Sequence, residues 1–434
     1  LFSRTKPIFI FSVSLLLATE WMLFSFFFDL PWIREISHYI PYPLALAAVF
    51  GLAIIPGFIF VFLMVSLLLD PRRPNTKTGP SPNLSVLIAA YNEEKYIETT
   101  IQKILSCHYN GKIELIVIND GSTDRTGEIL ADLELKYPKL KVILQKENQG
   151  KSAALNRGLC YASYDYIVTV DADTWLHQKA FSKIVKPLQN SSQKIGAVAG
   201  SIMVNNPKQS WITKLQVWDY LLSIAAVKSQ QSLYKGTLVA QGAFSLYHKE
   251  AIIKAGGWKS VVGEDIVLTW GILENNYIVD YVPTAIGFTY VPTKFKKFFN
   301  QRKRWARGLF EAFRAHPMIL VKYKGLSKFN IFLNLFFPLI DLAIIFVFVP
   351  GIILALFFQF YLIVGLLTLL VLPFSLLLSG LMYHRQRTIF KLLNIPIYRQ
   401  FAWGILFLLT YPLLQAPASL AGYIEELLSL KKRW

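Results

Sequence analysis

At 434 residues the chain has room for two or three domain-sized units, but 54% hydrophobic and only 17% charged residues exclude one soluble globule of ordinary composition. Its mean hydropathy is +0.41. The net charge of +18 does not point to nucleic acid, because the basic residues flank apolar tracts: Arg4, Lys6, Arg72, Arg73, Lys77, Arg385, Arg387 and Lys391. That placement fits membrane lipids, through anionic headgroups and the positive-inside rule.

The chain begins at Leu1 rather than Met, so a short stretch is expected to precede it. Pro7 to Phe28 and Leu44 to Leu69 are each about as long as a bilayer requires, the first interrupted by Glu20. No small-residue cleavage site follows the first, which argues against a signal peptide. Asp29 to Pro43 has no basic bias, whereas Asp70 to Pro80 is basic and rich in proline. The expectation is two transmembrane helices within residues 1–70, with the following domain on the cytoplasmic side of the plasma (inner) membrane. Cys107 and Cys160 have no metal-ligand spacing and read as free thiols in a reducing compartment, in keeping with that side.

From Asn83 the pattern becomes α/β. Strands are expected at Leu84 to Ala90, Ile113 to Ile118, Lys141 to Leu144 and up to Asp171, and later at Ile195 to Val204 and Leu238 to Tyr247. Helices are expected at Glu93 to Ser106, Arg125 to Leu135 and Lys151 to Tyr161. Strands alternating with such helices predict a mostly parallel sheet with helices on both faces, over residues 80–293. Trp211 to Lys228 has helical periodicity and either lies in the membrane interface or packs on the sheet. Phe295 to Phe313, within an amphipathic stretch 294–325, mixes six basic residues with aromatics and reads as interfacial. Residues 329–426 hold two or three transmembrane or re-entrant segments: Phe329 to Phe358 with Asp341 inside, Leu362 to Met382, and Phe401 to Tyr423. Three would put Lys431, Lys432 and Arg433 outside, against the positive-inside rule. Asp341 and Glu20 are expected to face a pathway or each other.

Five polar islands interrupt the middle domain: Ala90-Tyr91-Asn92-Glu93, Asn119-Asp120-Gly121-Ser122-Thr123-Asp124, Asn148-Gln149-Gly150-Lys151-Ser152, Asp171-Ala172-Asp173 and Gly263-Glu264-Asp265. Most follow strands, so they are expected to share the crevice beyond the strands' carboxyl ends. Asp171 and Asp173, one residue apart at the end of an apolar strand, offer hard oxygens to Mg2+ or Mn2+. Gly150-Lys151-Ser152 opens a helix and offers a lysine to phosphate, and Asp120 could accept from a ribose or a base. Neither G-x-x-x-x-G-K-[ST] nor a G-x-G-x-x-G after the first strand is present. His108, His177 and His248 show no metal-ligand pairing, and Asp124 and Glu94 read as solvated.

Tyr91-Asn92-Glu93, Asn119-Asp120-Gly121-Ser122, Asp171-Ala172-Asp173, Gly263-Glu264-Asp265 and Gln301-Arg302-Lys303-Arg304-Trp305, in this order, resemble the motif set of family 2 glycosyltransferases. More narrowly they resemble the membrane-embedded polysaccharide synthases that make poly-N-acetylglucosamine, hyaluronan, chitin and cellulose. The motifs cover about residues 80–320, and the flanking spans agree by layout. Cellulose synthases carry a larger C-terminal section, which sets the expectation against that branch. Size and layout most resemble the bacterial poly-β-1,6-N-acetylglucosamine synthases.

The resemblance implies an α/β glycosyltransferase domain of the A type between transmembrane helices, and a processive, inverting, metal-dependent transfer from a UDP-sugar donor to a growing polysaccharide acceptor. It implies Asp265 as general base, Asp173 with Asp171 as metal site, and Asp120, Glu93 and Tyr91 around the uridine. Lys151 would contact the nucleotide or phosphate, Glu264 would shape the site, and Arg304 would meet the diphosphate. Trp305 would stack on the acceptor sugar and Gln301 complete that box. Gln241-Gly242-Ala243-Phe244 would line the acceptor's way in. A small membrane partner subunit is compatible with this reading. The competing readings are a hyaluronan, chitin or glucan synthase, transfer of one sugar to a lipid acceptor, and a nucleotide-binding scaffold without activity. Intact Asp171, Asp173 and Asp265 argue against the last.

Overall fold

The computed structural model describes residues 7–70, 79–190, 194–364 and 371–430. Two apolar helices come first, α1 (Pro7–Ile36) and α2 (Tyr42–Leu68). The first runs through Pro31, so Asp29, Arg34 and Glu35 sit on a helix and not in a linker. Apolarity ends near Phe28, but backbone hydrogen bonding does not. Where hydroxyls are buried between these helices they satisfy one another: the Ser66 hydroxyl donates to Ser14 Oγ at 3.1 Å and lies 2.7 Å from the Tyr234 hydroxyl.

The middle domain is built on one eight-stranded sheet: β1 (Leu84–Ala90), β2 (Ile113–Asp120), β3 (Leu140–Gln145), β4 (Tyr166–Val170), β5 (Thr174–Leu176), β6 (Ile195–Val204), β7 (Phe244–His248) and β8 (Ile278–Thr289). Their order is β3-β2-β1-β4-β7-β6-β8-β5. The β3-β2-β1-β4 half is parallel. In the other half β7 runs antiparallel to both β4 and β6, β8 is parallel to β6, and β5 is antiparallel to β8. The sheet is therefore mixed, with the motif-bearing half parallel as expected.

Alternation along the strands divides the core. Val86 and Ile88 face one cluster with Ile97, Ile101 and Ile104 of α3 (Ile97–Leu105). Leu87, Ile116 and Ile118 face the other, with Ala154, Leu155 and Leu159 of α5 (Lys151–Tyr161). The remaining early helix, α4 (Thr126–Lys136), packs Leu130 and Leu133 on the first side. Strands buried on both faces read as continuous apolar runs, which is why β1 and β6 are visible in the sequence with their observed ends.

Two expectations change here. Leu238 to Tyr247 is a strand only from Phe244. Before that, side chains take the backbone amides: Gln231 Oε1 accepts from Leu238 at 3.0 Å and Thr269 Oγ1 from Ala240 at 3.0 Å. Helix α3 begins at Ile97, because the backbone around Glu93 and Glu94 is tied to the next polar loop.

Helix α6 (211–233) starts at the capping box of Ser210 and Thr213 and contains a π turn, Asp219–Ile224. Trp218, Leu215, Leu222 and Ala225 are buried, while Trp211 remains 47% exposed. Helix α7 (Glu264–Glu274) carries the last acidic island at its start, and α8 (Phe295–Ala315) is the basic amphipathic helix. The C-terminal part holds α9 (Lys328–Phe358), α10 (Val371–Leu392) and α11 (Phe401–Leu427). Residues 365–370, within the expected segment Leu362 to Met382, lie outside the described residues.

Helices α1, α2, α9 and α11 are long and apolar enough to cross a membrane. They expose large apolar side chains such as Phe24, Phe27, Phe346 and Phe357. This is a membrane protein. Asp341 does not meet Glu20; it accepts a hydrogen bond from Tyr423 of α11 at 2.9 Å, a packed contact between two of these helices.

Candidate active site

The carboxyl ends of β1, β2 and β4 open on one side of the sheet, and the first three islands are laced together there. Asn92 has a left-handed backbone (φ 54°), which Asn tolerates. Its Oδ1 accepts from Thr123 N at 2.8 Å, and its N–H donates to Ser122 Oγ at 3.0 Å. Glu94 and Asp124 are not merely solvated, since each carboxylate accepts the other loop's amide, Arg125 N at 3.1 Å and Glu94 N at 3.2 Å. Asp120 is buried and accepts from Gln149 N and Gly150 N, both at 2.8 Å. Its two oxygens thus hold the turn that opens α5. Gly121 (φ 68°) is required beside it, since a Cβ there would lie 2.6 Å from Asn148 N.

That turn aims Lys151 into the crevice. Its Nζ is 2.6 Å from Asp171 Oδ1 and 3.4 Å from Glu264 Oε1. A Cβ on Gly242 would come within 2.6 Å of the amine, so the glycine makes room for it. Burial alone would push the Lys151 amine down, but Asp171, Glu264 and Asp265 outweigh it and hold it well above the usual lysine range. Lys151 is therefore no ordinary exposed helix residue.

The carboxylates repel one another. Burial first, then Asp171, push Asp173 up to about 6, against Lys151 and the Thr289 hydroxyl. Glu93 rises to about 7 through burial and the charges of Asp173, Asp171 and Asp124. Burial, opposed by Lys151, lifts Glu264 to about 7. Asp265 lies in the first turn of α7 and has its orientation fixed. Oδ1 accepts from Ile266 N at 2.8 Å and Oδ2 from Gly242 N at 3.4 Å. Glu93, Lys151, Asp171, Asp173, Glu264 and Asp265 thus form one electrostatic unit drawn from four separate stretches.

The Gln301–Trp305 box sits on α8 beside that unit. Trp305 is 45% exposed. Tyr220 adjoins it, with ring centroids 6.4 Å apart, and the Tyr220 hydroxyl feels the charges of Asp173 and Asp171. Gln301 Oε1 is buried without a hydrogen-bond partner among the described residues. Arg304 and Tyr91 are exposed at the rim and are not drawn into the charged unit.

Sequence reasoning missed Tyr220, Asp219, Arg302 and Lys228. Lys228 Nζ donates to Val239 O at 3.0 Å, and burial pulls its amine down to about 7, opposed by Asp265. Only the π turn brings the first two to the site, and no spacing in the sequence announces it.

A crevice at the carboxyl ends of the strands, lined by paired aspartates, a lysine and a helix-start acid, lies where open α/β sheets bind their ligands. Residues 85–256 match the family described as Glycosyl transferase family 2. The chain is 32% identical over 277 residues to the poly-beta-1,6-N-acetyl-D-glucosamine synthase of Staphylococcus aureus (strain COL), covering 64% of this chain and 66% of that protein. It is 34% identical over 247 residues to the synthase of the same name from Staphylococcus epidermidis, covering 57% and 59%. The matched stretches thus span less than two thirds of these relatives' length. Among solved structures, the mannosyltransferase PcManGT from Pyrobaculum calidifontis, in complex with GDP-Man and Mn2+, shares the fold: TM-score 0.63 at 19% identity, over 89% of this chain and 99% of that one. Residues 85–256 thus match the family 2 glycosyltransferases, and the middle domain has a fold of the A type flanked by apolar helices.

Proposed function

We propose that the chain is a processive, inverting hexosyltransferase that polymerises a UDP-sugar and moves the polymer across the membrane. The staphylococcal relatives' names favour UDP-N-acetylglucosamine as donor and a β-1,6-linked product. We place the catalytic domain on the cytoplasmic side. The observation that carries the reading is the charged unit around Lys151, with Asp265 held by two amides and Trp305 exposed beside Tyr220.

The donor set fits Mg2+ or Mn2+. Asp171 and Asp173 are hard-oxygen donors whose mutual repulsion a divalent ion would relieve. No group of three His, Cys, Asp or Glu side chains suited to a metal occurs among the described residues. Two carboxylates completed by water and substrate phosphate are the usual arrangement for such an ion. When bound, it supplies positive charge to the departing diphosphate.

The chain's own residues then have distinct roles. Asp265 takes the proton from the acceptor hydroxyl. That oxygen bonds to the anomeric carbon, the bond to the UDP oxygen breaks with its electron pair, and the carbon inverts. Lys151 exchanges a carboxylate for phosphate as the donor enters. Tyr91, Glu93 and Asp120 form the uridine side, Asp120 chiefly by holding the 149–150 turn. Glu264 keeps Lys151 in place before donor binds. Arg304 completes the diphosphate side, Trp305 stacks on the acceptor sugar, and Gln301 completes that box.

The deciding experiment is UDP release by detergent-solubilised protein with Mg2+ or Mn2+, one UDP-sugar at a time, with sizing of the product. Release with UDP-N-acetylglucosamine and a high-mass product agrees with the proposal. A single sugar on lipid would replace processive synthesis, and no release with any donor would remove the activity.

A further inference from the structure

Arg302 lies inside the Gln301–Trp305 box, but the reading above gives it no role. It is 3% exposed, in a helix whose other basic residues mostly face outward. Its Nη2 is 3.2 Å from Asp219 Oδ2, and both side chains are buried. Asp219 also accepts a hydrogen bond from the Tyr411 hydroxyl of α11 at 2.8 Å. The guanidinium carbon sits 3.9 Å from the centroid of the Trp305 ring. Phe298 and Tyr411 rings flank it at 5.2 and 5.7 Å. Neither Arg302 Nε nor Nη2 has a well-directed hydrogen bond among the described residues, so the group is held by stacking and by the charge of one carboxylate.

A buried ion pair is a poor source of stability, because desolvation offsets most of the attraction, but it can fix one orientation. The planar guanidinium suits that use here, since it stacks on an indole as an ammonium would not. The π turn matters too. It begins at Asp219, so the carboxylate of the pair and the Tyr220 ring facing Trp305 leave the same turn of α6. Single π turns inside helices frequently mark functional positions. Tyr411 lies on one of the helices long enough to cross the membrane.

We propose that Asp219, Arg302 and Tyr411 form a clamp that sets the tilt of the Trp305 indole and couples the last apolar helix to the acceptor platform. The three are positioning residues, and they act through Trp305. The inference rests on the acceptor role of Trp305 proposed above.

The test is a double-mutant cycle on the full chain in nanodiscs, reading product length and donor KM with UDP-N-acetylglucosamine. Tyr411→Phe removes one hydroxyl and keeps the ring. It is expected to shorten the product about tenfold, the factor that about 1.4 kcal/mol represents, with donor KM unchanged. Arg302→Lys keeps the charge and loses the flat face, so it is expected to shorten the product as well. Trp305→Ala alone should shorten it, and adding Tyr411→Phe to that variant should do nothing more. If Trp305→Ala leaves length unchanged, or the parent makes no polymer, the acceptor reading falls and the clamp with it. If Trp305→Ala shortens the product but Tyr411→Phe does not, or if the two effects multiply, the acceptor reading stands and the clamp is overturned. Full activity in Arg302→Lys would reduce the pair to a structural charge.

Discussion

Asp265 and Asp173 are both carboxylates in one crevice, yet their surroundings differ, in keeping with the different tasks proposed for them. Two backbone amides orient Asp265, whereas burial and then the charge of Asp171 push Asp173 up to about 6. Asp265→Asn keeps shape and hydrogen-bonding capacity but removes the base, so kcat should fall by about 10²–10⁴-fold, the range for a lost general base. Nucleotide affinity, followed by calorimetry, should hold; a matching loss would take Asp265 out of that role. Asp173→Ala should instead weaken the Mn2+-dependent part of UDP binding, and a parent whose activity is indifferent to chelators would refute the metal site. Lys228 offers a test through pH. Burial pulls its amine down to about 7, from 10.5 in a solvated lysine. Between those values the unfolded chain binds the extra proton, so this residue makes stability rise with pH from about 7 toward 10.5 and adds a constant cost below. Lys228→Met should flatten that slope in melting temperatures between pH 7 and 10, whatever the constant offset from losing the bond to Val239.

At the scale of elements, the site depends on how closely helices approach. Gly263, which precedes α7, packs backbone to backbone on Gly308 of α8, where a Cβ would lie 2.9 Å from Gly263 Cα. Gly308→Ala must therefore displace either α8 or the start of α7 with Glu264 and Asp265. Activity should fall at least about tenfold, since small misplacements of reacting groups cost up to about 10²-fold; wild-type kcat would show that the two helices part freely. The other side of α8 is tied to α11. Arg307, 4% exposed, meets Glu426 at 2.8 Å, and Lys303 meets Glu425 at 2.6 Å. Glu426→Gln removes the carboxylate charge that Arg307 shares with Arg314 and leaves Arg307 the 3.6 Å contact to Glu425 and the Leu430 carbonyl. Removing one partner of such a buried pair costs about 3–5 kcal/mol, and the lower part of that range is expected in a detergent melt. Little of this packing is legible in the sequence. The parallel half of the sheet, α5 and the ordered motifs are, because buried strands and helix-opening turns leave local signatures. Helix α1 was cut short at Phe28 because hydropathy registers apolarity and not hydrogen bonding. Residues Leu238 to Ala243 looked like strand because an apolar run cannot reveal that Gln231 and Thr269 will take its amides. Arg302 looked like one more basic residue on an amphipathic helix, since its partner comes from a distant π turn. The motif residues themselves were readable, but their mutual charge was not: that Glu93 faces Asp173, or that Lys151 bridges Asp171 and Glu264, depends on tertiary closure.

For the whole molecule the open quantity is sidedness, and the chain carries its own probe. The sheet domain stands between the apolar helices α2 and α9. Both cysteines belong to that domain and both are free. They are not equivalent. Cys107 is partly buried, its thiol donates to Lys103 O at 3.4 Å, and burial pushes it up to about 12, so little thiolate forms at neutral pH. Cys160 is exposed near the C-terminal end of α5, the end away from the crevice. A membrane-impermeant maleimide should therefore read one position. In intact cells Cys160 should stay unlabelled, and it should react once the membrane is opened, with Cys160→Ser abolishing the signal. Labelling before lysis would put the domain outside, away from any UDP-sugar, and would undo the proposed direction of polymer transport as well as the placement. A signal that survives Cys160→Ser would mean that Cys107 becomes exposed in the membrane, which its burial against α3 and the backbone at His177 forbids.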